Sequence, residues 1–185
     1  PITAGDRAAM LAQGIDPGDY QTVRFFGNFF DSETEGVDVI LSKAFDLGEG
    51  SSLLLNAGVN YTSSEISDVK DARAVNRERE IEIKEFNPDL RGSLSLDYSR
   101  GPWGAVLRAS YYGEWTDAVA NATPTASSFD QTFGAEWLLD VELRYAVNDT
   151  WTLAVGADNV LNEYPDKDAR PGQQSSGIVY PQFSP

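Results

Sequence analysis

The sequence contains neither cysteine nor histidine among its 185 residues. The first absence excludes disulfides, zinc ribbons and cysteine nucleophiles. The second excludes Ser-His-Asp triads, histidine-based zinc sites and histidine general bases. Without these two residue types, most of the catalytic and metal-binding motifs that can be recognised in a sequence are excluded. We therefore expect neither a cofactor nor a metal site.

Long hydrophobic runs and positive charge are also scarce. No stretch approaches the roughly 18 consecutive apolar residues that suggest a transmembrane helix. Lys and Arg number 14 against 29 Asp and Glu, which gives a formal net charge of −15. Nucleic acid is not expected as a partner, because neutralising its phosphates requires basic residues. The chain starts at Pro1 without a charged-then-apolar leader, and we expect it to be a piece of a longer protein.

What the sequence has in abundance is strict alternation of apolar and polar residues, the period of a strand with two different faces. The clearest case is residues 137–147, where Trp, Leu, Val, Leu, Tyr and Val alternate with mostly charged residues. Similar segments cover residues 37–45, 53–61, 90–98, 103–111 and 151–157. Short turns are expected at 47–50, 100–102 and 148–150, and long outer loops at 63–87, 116–134 and 163–178. The pattern predicts an all-β fold, an antiparallel up-and-down meander of about six strands.

Three further expectations concern the segments around these strands. Residues 4–13 are expected to form a short helix with Asp6 near its start. Residues 76–85 carry alternating charges and are expected to be a strand extension or a solvated loop arm. The first strand is expected to continue back through Phe25 and Phe29.

The apolar face of such a sheet has two interpretations. A soluble sandwich packs this face on a core, whereas a membrane barrel turns it to lipid and places aromatic rings at both interfaces. Here the aromatic residues fall at the strand ends. Those near the short turns are Phe45, Tyr98, Trp103, Tyr145 and Trp151, and those near the long loops are Tyr61, Tyr111, Trp115, Trp137 and Tyr164. Six strands cannot enclose a lumen, and open sheet edges are not tolerated in lipid. The favoured prediction is therefore part of a large transmembrane β-barrel.

Residues 156–165 read Gly-Ala-Asp-Asn-Val-Leu-Asn-Glu-Tyr-Pro. This stretch resembles the strand end near the C-terminus of TonB-dependent outer-membrane receptors, often a Gly-x-x-Asn-Leu-Phe-Asp/Asn pattern followed by an aromatic residue. Asn28 with residues 35–38, and residues 87–91, are similar to other strand entries of that family. The resemblance covers about residues 22–183. It implies that residues 1–185 are a C-terminal piece of the receptor barrel, without the plug domain, the TonB box and the last strand.

The resemblance implies active uptake across the bacterial outer membrane and no enzymatic activity. A scarce nutrient, in the first place a ferric siderophore, would bind to the outer loops and the plug. The TonB–ExbB–ExbD complex would act through the missing plug, and the barrel would contact outer-membrane lipid. Three alternatives stay open: carbohydrate uptake by the same family, a soluble β-sandwich that binds a carbohydrate or other ligand, and an outer-membrane barrel enzyme.

The candidate ligand-binding residues are Trp115, Phe129 and Phe133, which lie in or beside an outer loop and could stack on a sugar or siderophore ring. Packing within the loop or in the upper aromatic girdle is the alternative. The acidic residues 31–38 lack the spacing of a calcium loop and are expected to be wall residues. A lumen-facing charge network is expected from Glu136, Asp140, Glu142 and Arg144.

Overall fold

The computed structural model describes residues 2–18, 27–70, 75–118 and 130–170, and its main feature is one antiparallel sheet of six strands. The elements are α1 (Ala4–Ala12), β1 (Phe30–Gly48), β2 (Ser51–Val69), α2 (Arg77–Lys84), β3 (Leu90–Arg100), β4 (Trp103–Tyr112), β5 (Trp115–Asp117), β6 (Gln131–Phe133), β7 (Glu136–Ala146) and β8 (Thr152–Ala157). The large sheet has the order β1-β2-β3-β4-β7-β8, and β5 pairs only with β6. The meander predicted from the alternation is confirmed.

Short turns join β1 to β2, β3 to β4 and β7 to β8, where the sequence predicts them. The first turn has positive φ at Gly48, Glu49 and Gly50. Glycine adopts this left-handed conformation without a Cβ clash, which favours a tight reversal here. The Glu49 carboxylate accepts a hydrogen bond of 2.9 Å from Arg100 beside the neighbouring turn. The turns therefore lie together at one end of the sheet.

The first hairpin is longer than predicted. Strands β1 and β2 have 19 residues each, and β2 runs on to Val69. The outer loop expected from residue 63 therefore starts later in the chain. Polar pairs line this extension, as where the hydroxyls of Thr34 and Ser64 lie 2.8 Å apart. At its other end β1 begins at Phe30, and Phe25 lies outside the described residues.

The expectation for residues 76–85 is wrong, because most of this segment is helix α2. The Asn76 side chain accepts a hydrogen bond of 2.9 Å from the Arg79 amide and so caps the helix. The Lys84 ammonium lies 2.8 Å from the Glu80 carboxylate one turn earlier. Local capping and ion pairing thus select a helix where no apolar stripe predicts one.

The helix expected near the N-terminus is confirmed as α1. Thr3 and Asp6 form a reciprocal capping box at its start, with the Asp6 amide 3.1 Å from the Thr3 hydroxyl. Across the described residues, neither helix is long and apolar enough to cross a membrane.

The strand register collects the apolar side chains on one face of the sheet. Leu55 lies opposite Leu96, Leu96 opposite Leu107, and Leu107 opposite Val141. Because side chains alternate along each strand, the intervening residues lie on the other face. We call the first side the apolar face and the second the polar face.

Aromatic pairs mark both ends of the apolar face. At the turn end the rings of Trp103 and Tyr145 are 4.6 Å apart, and at the loop end those of Tyr111 and Trp137 are 4.9 Å apart. Eight residue steps along β7 separate the two levels, which is about 27 Å along the strand. After allowance for tilt, this separation is close to the roughly 25 Å apolar band of outer-membrane barrels.

The apolar face is not covered by a second layer within the described parts of the chain. Val141, Leu143 and Val155 have exposed fractions of 38%, 46% and 70%. The buried apolar side chains of the described residues are Val106, Trp115, Ala118 and Phe133, too few for a sandwich core. We therefore expect the apolar face to meet lipid, and the edges at β1 and β8 lack a second partner in the described sheet.

A charge placed on the apolar face tests this assignment. Val141→Arg puts a guanidinium midway between the aromatic levels, and we expect it to lower the free energy of unfolding by about 2–4 kcal/mol in a bilayer. Ser110→Arg, on the polar face of the neighbouring strand, is the matched control and should cost less than about 1 kcal/mol. Urea titration of the full receptor in phospholipid vesicles would measure both. Equal losses for the two variants would contradict the assignment.

Candidate functional site

The segments beyond the loop end of the sheet form one assembly, the loop-end cluster: α2, β5, β6 and residues 159–170. The backbone N–H of Thr116 donates to the Glu85 carbonyl at 2.7 Å, which ties β5 to the end of α2. Arg77 of α2 also pairs with Asp130 just before β6. Three separate stretches of chain therefore meet above the apolar band.

Asn159 turns the chain from β8 into this cluster. Its φ is +49°, and its backbone N–H donates at 2.8 Å to the carboxylate of Asp140 on β7. Its side chain closes a loop with Glu163, donating to the carbonyl at 2.7 Å and accepting from the N–H at 3.0 Å. Asparagine suits both tasks, since it tolerates left-handed backbone and bonds to nearby peptide groups.

Residues 166–170, which we call the docked segment, lie against the β5–β6 hairpin. The Asp166 carboxylate accepts from the Gly134 N–H at 2.9 Å. The Gln131 side chain donates to the Lys167 carbonyl and accepts from the Ala169 N–H, both at 2.8 Å. A side-chain amide that pairs with the backbone in this way imitates one step of a strand ladder.

Arg170 completes the docking with a buried ion network. Its guanidinium donates to the Asp168 carboxylate at 2.9 and 2.5 Å and to the Asp117 carboxylate at 2.7 Å. It also donates to the Asp117 carbonyl at 3.2 Å. The side chains of Arg170 and Asp168 are 8% and 10% exposed. Bidentate pairs of this kind are strong and directional.

The network shifts the ionisation of its members. Hydrogen bonding to Arg170 lowers the pKa of Asp168 below its ordinary value, although burial acts in the opposite direction. The same bonds raise the pKa of Arg170. A carboxyl group with a lowered pKa stabilises the fold above its ordinary pKa, and this contribution is lost as the pH falls through the lowered value. The network therefore holds at neutral pH.

The aromatic candidates form the core of the loop-end cluster. Trp115 and Phe133 stack with ring centroids 4.2 Å apart, and Phe86 meets Trp115 edge-on at 5.6 Å. Trp115 is 6% exposed and Phe133 is fully buried. Phe129 lies outside the described residues. Two of the three candidates, Trp115 and Phe133, thus stack on each other. Stacking of these rings on a ligand stays a prediction.

The other polar residues singled out in the sequence lie along the wall. In the acidic stretch, Asp31 pairs with Lys70 at 2.8 Å and Asp38 accepts from Asn60 at 2.8 Å. No group of three carboxylates in the described ranges is arranged to hold a metal ion. Asp31 and Asp38 thus have partners on the same hairpin, and their role as wall residues stays a prediction.

The predicted charge network on the polar face is confirmed for two of its members. Arg144 reaches Asp97 at 2.6 Å and Glu142 at 3.3 Å. It passes close over Gly104, where an added Cβ would lie 3.3 Å from the guanidinium. Asp140 instead holds the Asn159 amide.

Gln131, Asp168 and Arg170 hold the cluster together, yet sequence reasoning did not select them. Their partners lie up to 53 positions away, and no short motif relates such positions. Within the sequence, nothing sets these three residues apart from the other polar residues of the same loops.

Comparison with known proteins gives two matches. A family model described as "TonB dependent receptor-like, beta-barrel" matches residues 6–160. The crystal structure of the ferripyoverdine receptor of the outer membrane of Pseudomonas aeruginosa, bound to ferripyoverdine, is similar with a TM-score of 0.53 and 19% identity over 72% of this chain. This chain spans 16% of that receptor chain. No curated protein sequence matches. Likeness at this identity shows a shared fold.

Removal of the Arg170 guanidinium should release the docked segment. Arg170→Ala leaves Asp168 and Asp117 without their cation, and we expect local opening to become easier by about 3 kcal/mol, or roughly a hundredfold. Hydrogen exchange at the Ala169 and Gly134 amides reports on this opening. In the unsubstituted protein the same amides should lose protection only in acid, below the ordinary aspartate pKa of 3.8.

The matched control for this prediction is Arg100→Ala. It removes the exposed Glu49 ion pair at the turn end of the sheet. Exposed pairs contribute little, so the two loop-end amides should exchange at an unchanged rate. Equal exchange rates in the Arg170 and Arg100 variants would contradict the docking role.

Substitutions at Asn159 separate backbone strain from side-chain bonding. Asn159→Gly keeps the positive φ but loses the two side-chain hydrogen bonds to the Glu163 backbone, which should lower the free energy of unfolding by about 1 kcal/mol. Asn159→Ala loses the same bonds and also strains the left-handed backbone, which should lower it by about 2 kcal/mol in total. Thermal unfolding in detergent would measure the series. Asn162→Gly, at φ +55°, is the control with little expected change, and an alanine variant no worse than the glycine variant would contradict the strain argument.

Proposed function

The chain belongs to the TonB-dependent receptor family, whose β-barrel model matches most of its length, and on this premise we propose that it forms part of a receptor that imports a ferric siderophore. Family membership places it in the bacterial outer membrane. In the proposed receptor, the TonB–ExbB–ExbD complex acts through the receptor's plug domain. The chain contributes wall and outer surface, and the reaction is binding and transport without covalent chemistry.

The observation that carries the proposal is the loop-end cluster. Strands β5 and β6 and the docked segment are held together above the apolar band by Arg170, Gln131 and the Trp115–Phe133 stack. Ordering loops costs conformational entropy, so a loop surface held by this many bonds is suited to present a fixed shape. A preformed surface of this kind lowers the entropy cost of binding a large ligand. The similar fold of a ferripyoverdine receptor supports a ferric siderophore as the ligand.

A second ligand class, neutral carbohydrate, is favoured by one observation. The formal net charge of −15 repels ligands with a strong negative charge, and many iron chelates carry such charge. A neutral saccharide meets no such barrier, and carboxylates accept hydrogen bonds from its hydroxyl groups. Carbohydrate uptake by the same family is therefore the alternative.

Growth and uptake assays distinguish these ligands. Deletion of the gene should abolish uptake of one radiolabelled ferric siderophore, with ferripyoverdine as the first probe in a panel, and deletion of tonB should have the same effect. Growth on excess ferrous iron is the control and should not change. Unchanged uptake of every ferric siderophore, together with lost growth on an oligosaccharide, would replace the proposal with its alternative.

A further inference from the structure

A cavity of about 420 Å³ lies between the end of α2 and the loop ends of β3 and β4. Leu90 and Tyr111 contribute apolar surface to it, and Asn87, Asp89 and Glu114 contribute polar groups. Its size is within the range of small-molecule sites, and it combines an aromatic ring with a few convergent polar groups, as such sites do.

The strand register places this cavity on the apolar face. Tyr111 lies opposite Trp137, and Leu90 lies opposite Tyr61. These residues form the aromatic level at the loop end, where the hydrocarbon layer gives way to the headgroup layer. Tyr112, which belongs to the polar face, does not line the cavity. The cavity is therefore separate from any ligand path along the polar face.

The polar groups of the cavity are available for a ligand. Asn87, Asp89 and Glu114 are exposed, and their side chains make no hydrogen bond or ion pair within the described parts of the chain. Among the described lining residues, the one ammonium group belongs to Lys84, which already lies 2.8 Å from Glu80. Carboxylates thus outnumber cations among these lining residues, which disfavours a phosphate or other anionic group as the part of a ligand that enters the cavity.

A saccharide matches this set of groups. Its hydroxyls donate hydrogen bonds to carboxylates and accept them from an amide. Its C–H faces pack on an aromatic ring such as that of Tyr111. We infer that this cavity is a binding site for a saccharide on the outer wall of the barrel. The inference rests on the membrane position of the chain and is independent of which nutrient the receptor imports.

Two sources can supply such a sugar at this height: the headgroup of an outer-leaflet glycolipid, and a free oligosaccharide. The test uses the full receptor in phosphatidylethanolamine–phosphatidylglycerol discs, with and without lipopolysaccharide, and bound lipid is counted by native mass spectrometry. A parallel titration calorimetry arm uses the free core oligosaccharide released from the same lipopolysaccharide, and maltohexaose.

Two variants probe the cavity in different ways. Glu114→Gln removes the negative charge and replaces one acceptor oxygen with an amide donor, and Ala135→Trp fills the space without changing charge. Each should weaken saccharide binding about tenfold or more. Asp149→Asn makes a matched charge change in the turn at the opposite end of β7 and should leave binding unchanged.

The outcomes distinguish the two sources of the sugar, and they also test the inference itself. Sensitivity to both variants in the lipopolysaccharide arm alone identifies a glycolipid headgroup. The same sensitivity with a free oligosaccharide identifies a soluble saccharide. Absence of binding in both arms, or binding that neither variant weakens, overturns the inference. Loss of siderophore uptake is measured separately and bears only on the nutrient.

Discussion

The structure depends on one constraint, the need of each backbone N–H and C=O group for a protein partner where water is excluded. An antiparallel ladder meets this need between neighbouring strands, and it also fixes the register. Once Leu107 is set opposite Val141, every other position on these strands follows. The apolar band, the two aromatic levels and the polar wall are consequences of that single alignment.

Much of this sheet could be predicted because its signal is local. Alternation with period two identified all six strands of the sheet and the three tight turns. The alternation did not predict strands where both faces of the sheet are polar. Beyond Val37 and Tyr61 the first hairpin has polar residues on both sides, so no alternation marks the strands. Helix α2 escaped for a similar reason, since its eight residues carry charges around most of the helix and only the Asn76 cap indicates a helix.

The loop-end cluster could be predicted only in part, because many of its contacts join residues that are far apart in the sequence. The Asn159 motif was visible because its residues are adjacent, and it correctly indicated the end of a strand. Asp117 and Arg170 meet only after β7 and β8 have returned the chain to the same end of the sheet. Sequence reasoning found the aromatic residues Trp115 and Phe133 by type, but their mutual stacking depends on how β5 pairs with β6. Long-range pairing of this kind follows from topology and has no local signature.

Along the long first hairpin, the backbone hydrogen bonds differ in how easily they open. From Val37 back to Phe30 it continues for about 24 Å beyond the loop-end aromatic level, into a region where water competes for every ladder bond. Within the bilayer an opened bond has no alternative partner, whereas on this stem it exchanges with solvent at little cost. We therefore expect the backbone amides of this stem to exchange with solvent faster towards its tip than at its root. A large particle that reaches the surface would therefore first touch the part of the hairpin whose backbone hydrogen bonds open most easily.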